Sequence, residues 1–131
     1  MRLLLDTHVF LWSLLEPERL SPVVAAALEA PENERWLSPV SVWETLLLAE
    51  KGRVVLKPDG PQWVRRALRK VPFREAPLTS DVALRSRAIE LPHQDPADRF
   101  LAATAVVYDL NLVTVDPRLL GVPTLKTLLS T

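Results

Sequence analysis

Residues 3–12 read LLLDTHVFLW. The leucines Leu3 to Leu5 form a short run that is apolar on both faces, the pattern of a strand covered by helices on two sides. The run that follows, His8 to about Leu15, has no strand-like alternation and reads as a helix closed by the Glu16-Pro17 break. A strand that feeds straight into a helix is the opening of a βαβ unit. Between the two stands Asp6, a carboxylate held by its neighbours at the edge of an apolar core. Burying an unpaired carboxylate is costly, so that position asks for a partner.

The same alternation continues along the chain. Ser21-Pro22 opens a helix to Ala30, with Ser as the cap and Pro in the first turn. Trp36-Leu37 is a short buried strand, and Ser38-Pro39 begins a helix that runs through Glu50 until Gly52 stops it. Asp59 or Gly60 with Pro61 starts a helix to about Val71. Its apolar face is Trp63, Val64, Ala67, Leu68 and Val71, with Arg65, Arg66, Arg69 and Lys70 opposite. Phe73–Leu78 reads as a strand, and Thr79 caps a helix to Glu90. Pro96 to Tyr108 is a strongly apolar helix, Leu112–Val115 a strand, and Pro123–Leu125 a last short one. Strands alternating with helices predict an α/β domain, residues 1–131 as one unit, around a mostly parallel sheet.

Composition narrows the chemistry. The 131 residues contain no cysteine, which excludes a disulfide framework, a thiolate metal site and a cysteine nucleophile. With two histidines, a histidine-rich zinc site is disfavoured as well. Lys+Arg and Asp+Glu are equal at 16 each, so the global basic field of a strong nucleic-acid binder is missing. The apolar N-terminal run is broken by Asp6 and His8 and lacks a small-residue cleavage site, so it does not read as a signal peptide. No apolar run reaches the ~20 residues of a membrane span, and a soluble, cytoplasmic protein with no membrane partner is expected.

In an open parallel sheet, ligands bind beyond the carboxyl ends of the strands. Asp6 ends LLL and Asp116 ends LVTV, while Glu44 and Asp98 lie in the first turns of helices that follow strands. Four acids from distant segments can therefore meet at one edge. Each also has a purely structural reading. Asp95-Pro96 is a helix start, with Asp98 favouring the helix dipole; Ser41-x-x-Glu44 matches a capping box; Asp116-Pro117 can cap the turn RLL. Acids that converge repel one another, and a divalent cation relieves the repulsion. All-oxygen ligands favour Mg²⁺ or Mn²⁺ over zinc.

These segments, in this order, resemble the PIN-domain ribonucleases, especially the VapC-type toxins of bacterial toxin–antitoxin pairs. The matching stretches are LLLDTHVFLW (3–12), SPVSVWETLLLAEKGRV (38–54), LPHQDPADRFLAATA (91–105) and LVTVDPRL (112–119). The resemblance implies an α/β/α sandwich around a short, mostly parallel central sheet, and Mg²⁺- or Mn²⁺-dependent endonucleolytic cleavage of RNA. It makes Asp6, Glu44, Asp98 and Asp116 the catalytic acids and metal ligands, in that order along the chain. The family pattern puts its ligand acid just ahead of the apolar LAA run. That selects Asp98 and leaves Asp95 as the helix cap. Asp116 varies most in role and can complete the site from behind. The resemblance also implies a homodimer held inactive by a small antitoxin whose C-terminal segment lies in an apolar groove, to which Val9, Phe10, Leu11 and Trp12 are candidate contributors, with core packing as the alternative.

RNA approaching an acidic centre on a neutral protein needs local cations. Arg99, next to Asp98, is the expected RNA contact, and the Arg65–Arg74 patch is a second candidate that a solvated helix face explains equally well. Thr7 and Thr114 are candidates for orienting the carboxylates or a water. His8 and His93 read as a buried turn and an exposed loop residue rather than ligands. The competing function is a non-catalytic PIN-fold module that binds RNA or protein, against which the four acids argue. An aspartyl-phosphate phosphatase would want an acid where His8 stands. A receiver domain would want adjacent acids before the end of the first strand and a lysine after a late one.

Overall fold

The structure, a computed structural model, describes residues 1–92 and 94–128. Its strands are β1 (Arg2–Leu5), β2 (Glu34–Leu37), β3 (Phe73–Glu75), β4 (Asn111–Val113) and β5 (Thr127–Leu128). They form a single sheet in the order β3-β2-β1-β4-β5, and every pairing is parallel. The chain leaves β1 toward one side of the sheet, through β2 and β3, and later crosses to the other side for β4 and β5. The reversal falls between β1 and β4, and a crevice opens at the carboxyl ends of strands where the order reverses.

Helices cover both faces. They are α1 (Thr7–Leu15), α2 (Pro22–Glu29), α3 (Pro39–Glu50), α4 (Gly60–Lys70), α5 (Ser80–Ala88), α6 (Pro96–Val107) and the short α7 (Pro117–Leu120). Successive side chains of a strand point to opposite faces. Leu3 and Leu5 accordingly enter one core with Phe10, Val24, Leu28 and Ala67, from α1, α2 and α4. Leu4 and Leu112 enter the other with Ala102, Ala105 and Leu119, from α6 and α7. Two cores on either side of one sheet make the predicted three-layer α/β/α sandwich. On the first face the fully buried Phe10 meets Trp63 and Phe73 edge-on, with ring centres 6.0 and 5.5 Å away.

The helix starts follow from local chemistry. Asp6, Ser21, Ser38, Asp59, Thr79, Asp95 and Asp116 each accept a hydrogen bond from a backbone N–H of the first turn of the helix they open. Each such cap stabilises its helix by about 1 kcal/mol. The end of α3 is set by Gly52, whose φ of +70° lies in the left-handed region that glycine enters without strain.

Several local expectations give way to tertiary contacts. Ser41 does not form a capping box, because Ser38 caps α3 and the Ser41 hydroxyl is buried against Thr7. The predicted strand Phe73–Leu78 ends at Glu75, and Leu112–Val115 is shortened to Asn111–Val113. The last strand is Thr127–Leu128 rather than Pro123–Leu125; Leu125 packs into the second core instead. Leu68 is 41% exposed although it lies on the predicted apolar stripe of α4. Val9, Phe10 and Leu11 are core residues, not groove-lining ones. His8 is exposed rather than buried. Among the described residues, no helix is long and apolar enough to cross a membrane.

Candidate metal centre

Asp6 leaves the sheet where β1 ends. Its backbone N–H still donates to the Val113 carbonyl of β4 at 3.0 Å, so the sheet fixes its position. Its carboxylate is 7% exposed. Oδ1 accepts from the His8 backbone N–H at 2.8 Å and Oδ2 from the Thr114 hydroxyl at 2.5 Å. Burial pushes the Asp6 carboxyl above its usual range, and these two hydrogen bonds offset only part of the effect.

Thr114 is fully buried just beyond β4. While it donates to Asp6, its oxygen accepts from the Asp116 backbone N–H at 3.1 Å. One hydroxyl thus couples the ends of the two strands that flank the reversal point. Asp116 caps α7 and faces Arg118. Its Oδ1 accepts from Arg118 Nε at 3.1 Å and its Oδ2 from Arg118 Nη2 at 2.9 Å.

Asp98 is the third residue of α6, after the cap Asp95 and Pro96-Ala97, and its side chain is 18% exposed. Its carboxyl is pushed up to about 7 from an ordinary 3.8, first by burial and then by the negative charges of Asp95, Asp6, Asp116 and Glu44. Asp95 caps the same helix, while Asp6 follows β1, Asp116 caps α7 just after β4 and Glu44 lies on α3, so the four sequence-predicted acids share one field. Glu44 is half-buried on α3, which packs against α6. The acids do not form a closed ligand shell. Among the described residues, no three histidine, cysteine or carboxylate side chains come together as a ready coordination group. In chemistry the donor set fits a hard dication: it is all oxygen, mutually repulsive and partly dehydrated.

Other candidates resolve differently. Arg99 does not rim the site. It is 5% exposed, and its guanidinium donates to the carbonyls of Ser86 at 2.8 Å and Ile89 at 2.7 Å, tying the end of α5 to α6. One residue along a helix turns the side chain by about 100°, and that rotation sends Arg99 inward while Asp98 faces the strand ends. Thr7 donates to the Ser41 hydroxyl at 3.2 Å rather than to a carboxylate, joining α1 to α3. Arg65, Arg66, Arg69 and Lys70 are exposed on α4, and Arg74 pairs with Glu34 at 3.2 Å. His93 lies outside the described residues.

Two features escaped the sequence reading. The first is Arg118, whose Nη2 lies 3.8 Å from Asp98 Oδ2 as well as 2.9 Å from Asp116. Its only signal was its place two residues after Asp116. The second is a groove beside Glu44, lined by Trp43, Lys51, Arg53 and Asp95. Trp43 is 58% exposed there, and the signal was an aromatic residue adjacent to a predicted acid.

Known proteins share this sequence pattern and this fold. A family model described as PIN domain matches residues 3–125. Ribonuclease VapC22 of Mycobacterium tuberculosis is 37% identical over 119 residues, covering 88% of each chain. Among solved structures, the fold resembles VapBC2 from Rickettsia felis bound to a promoter DNA fragment, with a TM-score of 0.71, 14% identity and 98% of each chain covered. It also resembles a toxin–antitoxin complex from Klebsiella pneumoniae, with a TM-score of 0.68, 24% identity and coverage of 98% of this chain and 97% of that one.

Proposed function

The chain belongs to the PIN-domain family, and from that premise we propose that it is a Mg²⁺- or Mn²⁺-dependent endoribonuclease, the VapC-like toxin of a toxin–antitoxin pair. The observation that carries this reading is the shared field of Asp6, Glu44, Asp98 and Asp116 at the reversal between β1 and β4. Anion binding alone has no use for such a cluster.

In this reading Asp6 and Asp98 would hold the dication directly, Asp116 would complete the set, and Glu44 would bind it or position the attacking water. Bound there, the dication supplies activation of that water and charge stabilisation of the phosphodiester oxygens. The protein's own part is preorganisation. Thr114 fixes the Oδ2 face of Asp6, the His8 N–H fixes the other oxygen, and the sheet holds both backbones. Asp98 would have to release the proton that its surroundings favour in order to serve as a ligand. Arg99 is buried and Arg118 is engaged with Asp116. The RNA contacts in this reading are therefore Lys51 and Arg53, the exposed cations that share a groove with Glu44, with the Trp43 ring available for stacking. The partners in this reading are RNA, a small antitoxin and a second copy of the chain, in the cytoplasm.

The alternative, a non-cutting PIN-fold module that binds RNA or protein, draws support from one observation: Arg118 lies across Asp98 and Asp116. A cleavage assay decides. Structured RNAs are incubated with Mg²⁺, Mn²⁺ or EDTA, using wild type and Asp98→Asn. Cutting by wild type with metal, and by neither protein otherwise, is the expected result. Equal cutting by both proteins, or cutting that survives chelation, overturns the reading.

A further inference from the structure

Arg118 stands on α7, and its side chain is 56% exposed. An exposed ion pair contributes little to stability, so the contact is not a staple of the fold. Its geometry is nonetheless specific. Nε and Nη2 form a fork on the two oxygens of Asp116, and the same Nη2 turns toward Oδ2 of Asp98. Bidentate guanidinium–carboxylate pairs are among the stronger and better oriented charged hydrogen bonds. The guanidinium therefore lies on the very oxygens from which a hard cation would be held.

We propose that Arg118 is the resident counter-cation of this site, and that a dication must displace it from Asp98 and Asp116, so that this one side chain sets how weakly the acids hold metal. The inference rests on the metal-dependent reading above. Its physical basis is that two positive charges cannot share the same carboxylate oxygens. The guanidinium carries one charge in a flat fork that spans Asp116 and reaches Asp98. A dication carries two, and can also gather Asp6 and Glu44. Removing the guanidinium deepens the negative potential at the acids and leaves their backbone supports unchanged. A residue that merely props up Asp116 would have the opposite effect, because its loss would loosen a ligand and weaken metal binding.

The test is Mn²⁺ affinity in the absence of RNA, read from the electron paramagnetic resonance signal of the free ion and from titration calorimetry. Wild type, Arg118→Gln and Arg118→Lys are compared. Exposed pairs are weak, so Arg118→Gln is expected to bind Mn²⁺ only about three- to fivefold more tightly, and Arg118→Lys to fall between it and wild type. Should Arg118→Gln fail to fold, the ordering of Arg118→Lys above wild type decides. Saturable binding by wild type with equal or weaker binding in both variants overturns this inference and leaves the nuclease reading standing. No saturable binding by any of the three proteins overturns both.

Discussion

The Thr114 hydroxyl donates to Asp6 Oδ2 at 2.5 Å, joining residues 108 positions apart. The bond exists because β1 and β4 are parallel neighbours in register, with Leu5 opposite Val113, so the residues just beyond them emerge side by side. Replacing Thr114 by Val keeps the shape and removes the donor. The buried carboxylate then loses a partner, at a cost of about 1–3 kcal/mol, and Asp6 is freed to turn. Chemical denaturation should show that loss, and RNA cleavage and Mn²⁺ affinity should each fall about 10- to 100-fold. Thr114→Ser should restore most of both. Full activity in Thr114→Val would show that Asp6 is oriented by other means.

Asp98 gives a pH prediction. Its folded pKa, about 7, lies above its ordinary 3.8, so the native state holds the proton more tightly than the unfolded state does. The stability linked to this group is present below about pH 4 and is lost as pH rises through about 7. Asp98→Asn cannot ionise and escapes that loss. In EDTA its thermal midpoint should exceed that of wild type at about pH 8 and converge with it at about pH 4. Parallel curves for the two proteins across that range would show that Asp98 is not the strained carboxylate.

Arg99 should behave as a structural residue. Arg99→Leu leaves the Ser86 and Ile89 carbonyls without their donor inside the protein, and charged hydrogen bonds of this kind are worth about 1.5–3 kcal/mol each. Urea denaturation should register a loss of several kcal/mol or outright unfolding. Where folded protein remains, RNA affinity and its salt dependence should match wild type. A selective loss of RNA binding at unchanged stability would return Arg99 to the binding surface.

Thr45 offers a gain. It is fully buried on α3, and among the described residues its hydroxyl is the buried side-chain group with no hydrogen-bond partner. Thr45→Val removes the unsatisfied group with almost no change of volume. Stability in urea should rise by about 1 kcal/mol. A fall instead would reveal that the hydroxyl is used.

Much of this was legible in advance because it is local. Asp6 after LLL, the Ser-Pro and Asp-Pro helix starts, Gly52 at the end of α3 and the strand–helix alternation all act within a few residues of themselves. The acids at the strand ends follow from that order together with the rule that parallel sheets open at their carboxyl edge. The errors share a cause. A capping role for Ser41, a core place for Leu68 and a rim place for Arg99 each depend on which side of a helix meets which neighbour. The late strand lies at Thr127–Leu128 rather than Pro123–Leu125, and a two-residue strand carries almost no periodic signal.

The sequence by itself determined the alternation of strands and helices, the caps and the four segments that carry acids, because backbone preference, capping and hydrophobic periodicity are short-range. Only the tertiary structure decided that Thr114 meets Asp6, that Arg99 turns inward and that Arg118 lies across Asp98 and Asp116. Those outcomes depend on strand register and helix rotation, where a shift of one residue reverses a strand side chain and swings a helical one by about 100°.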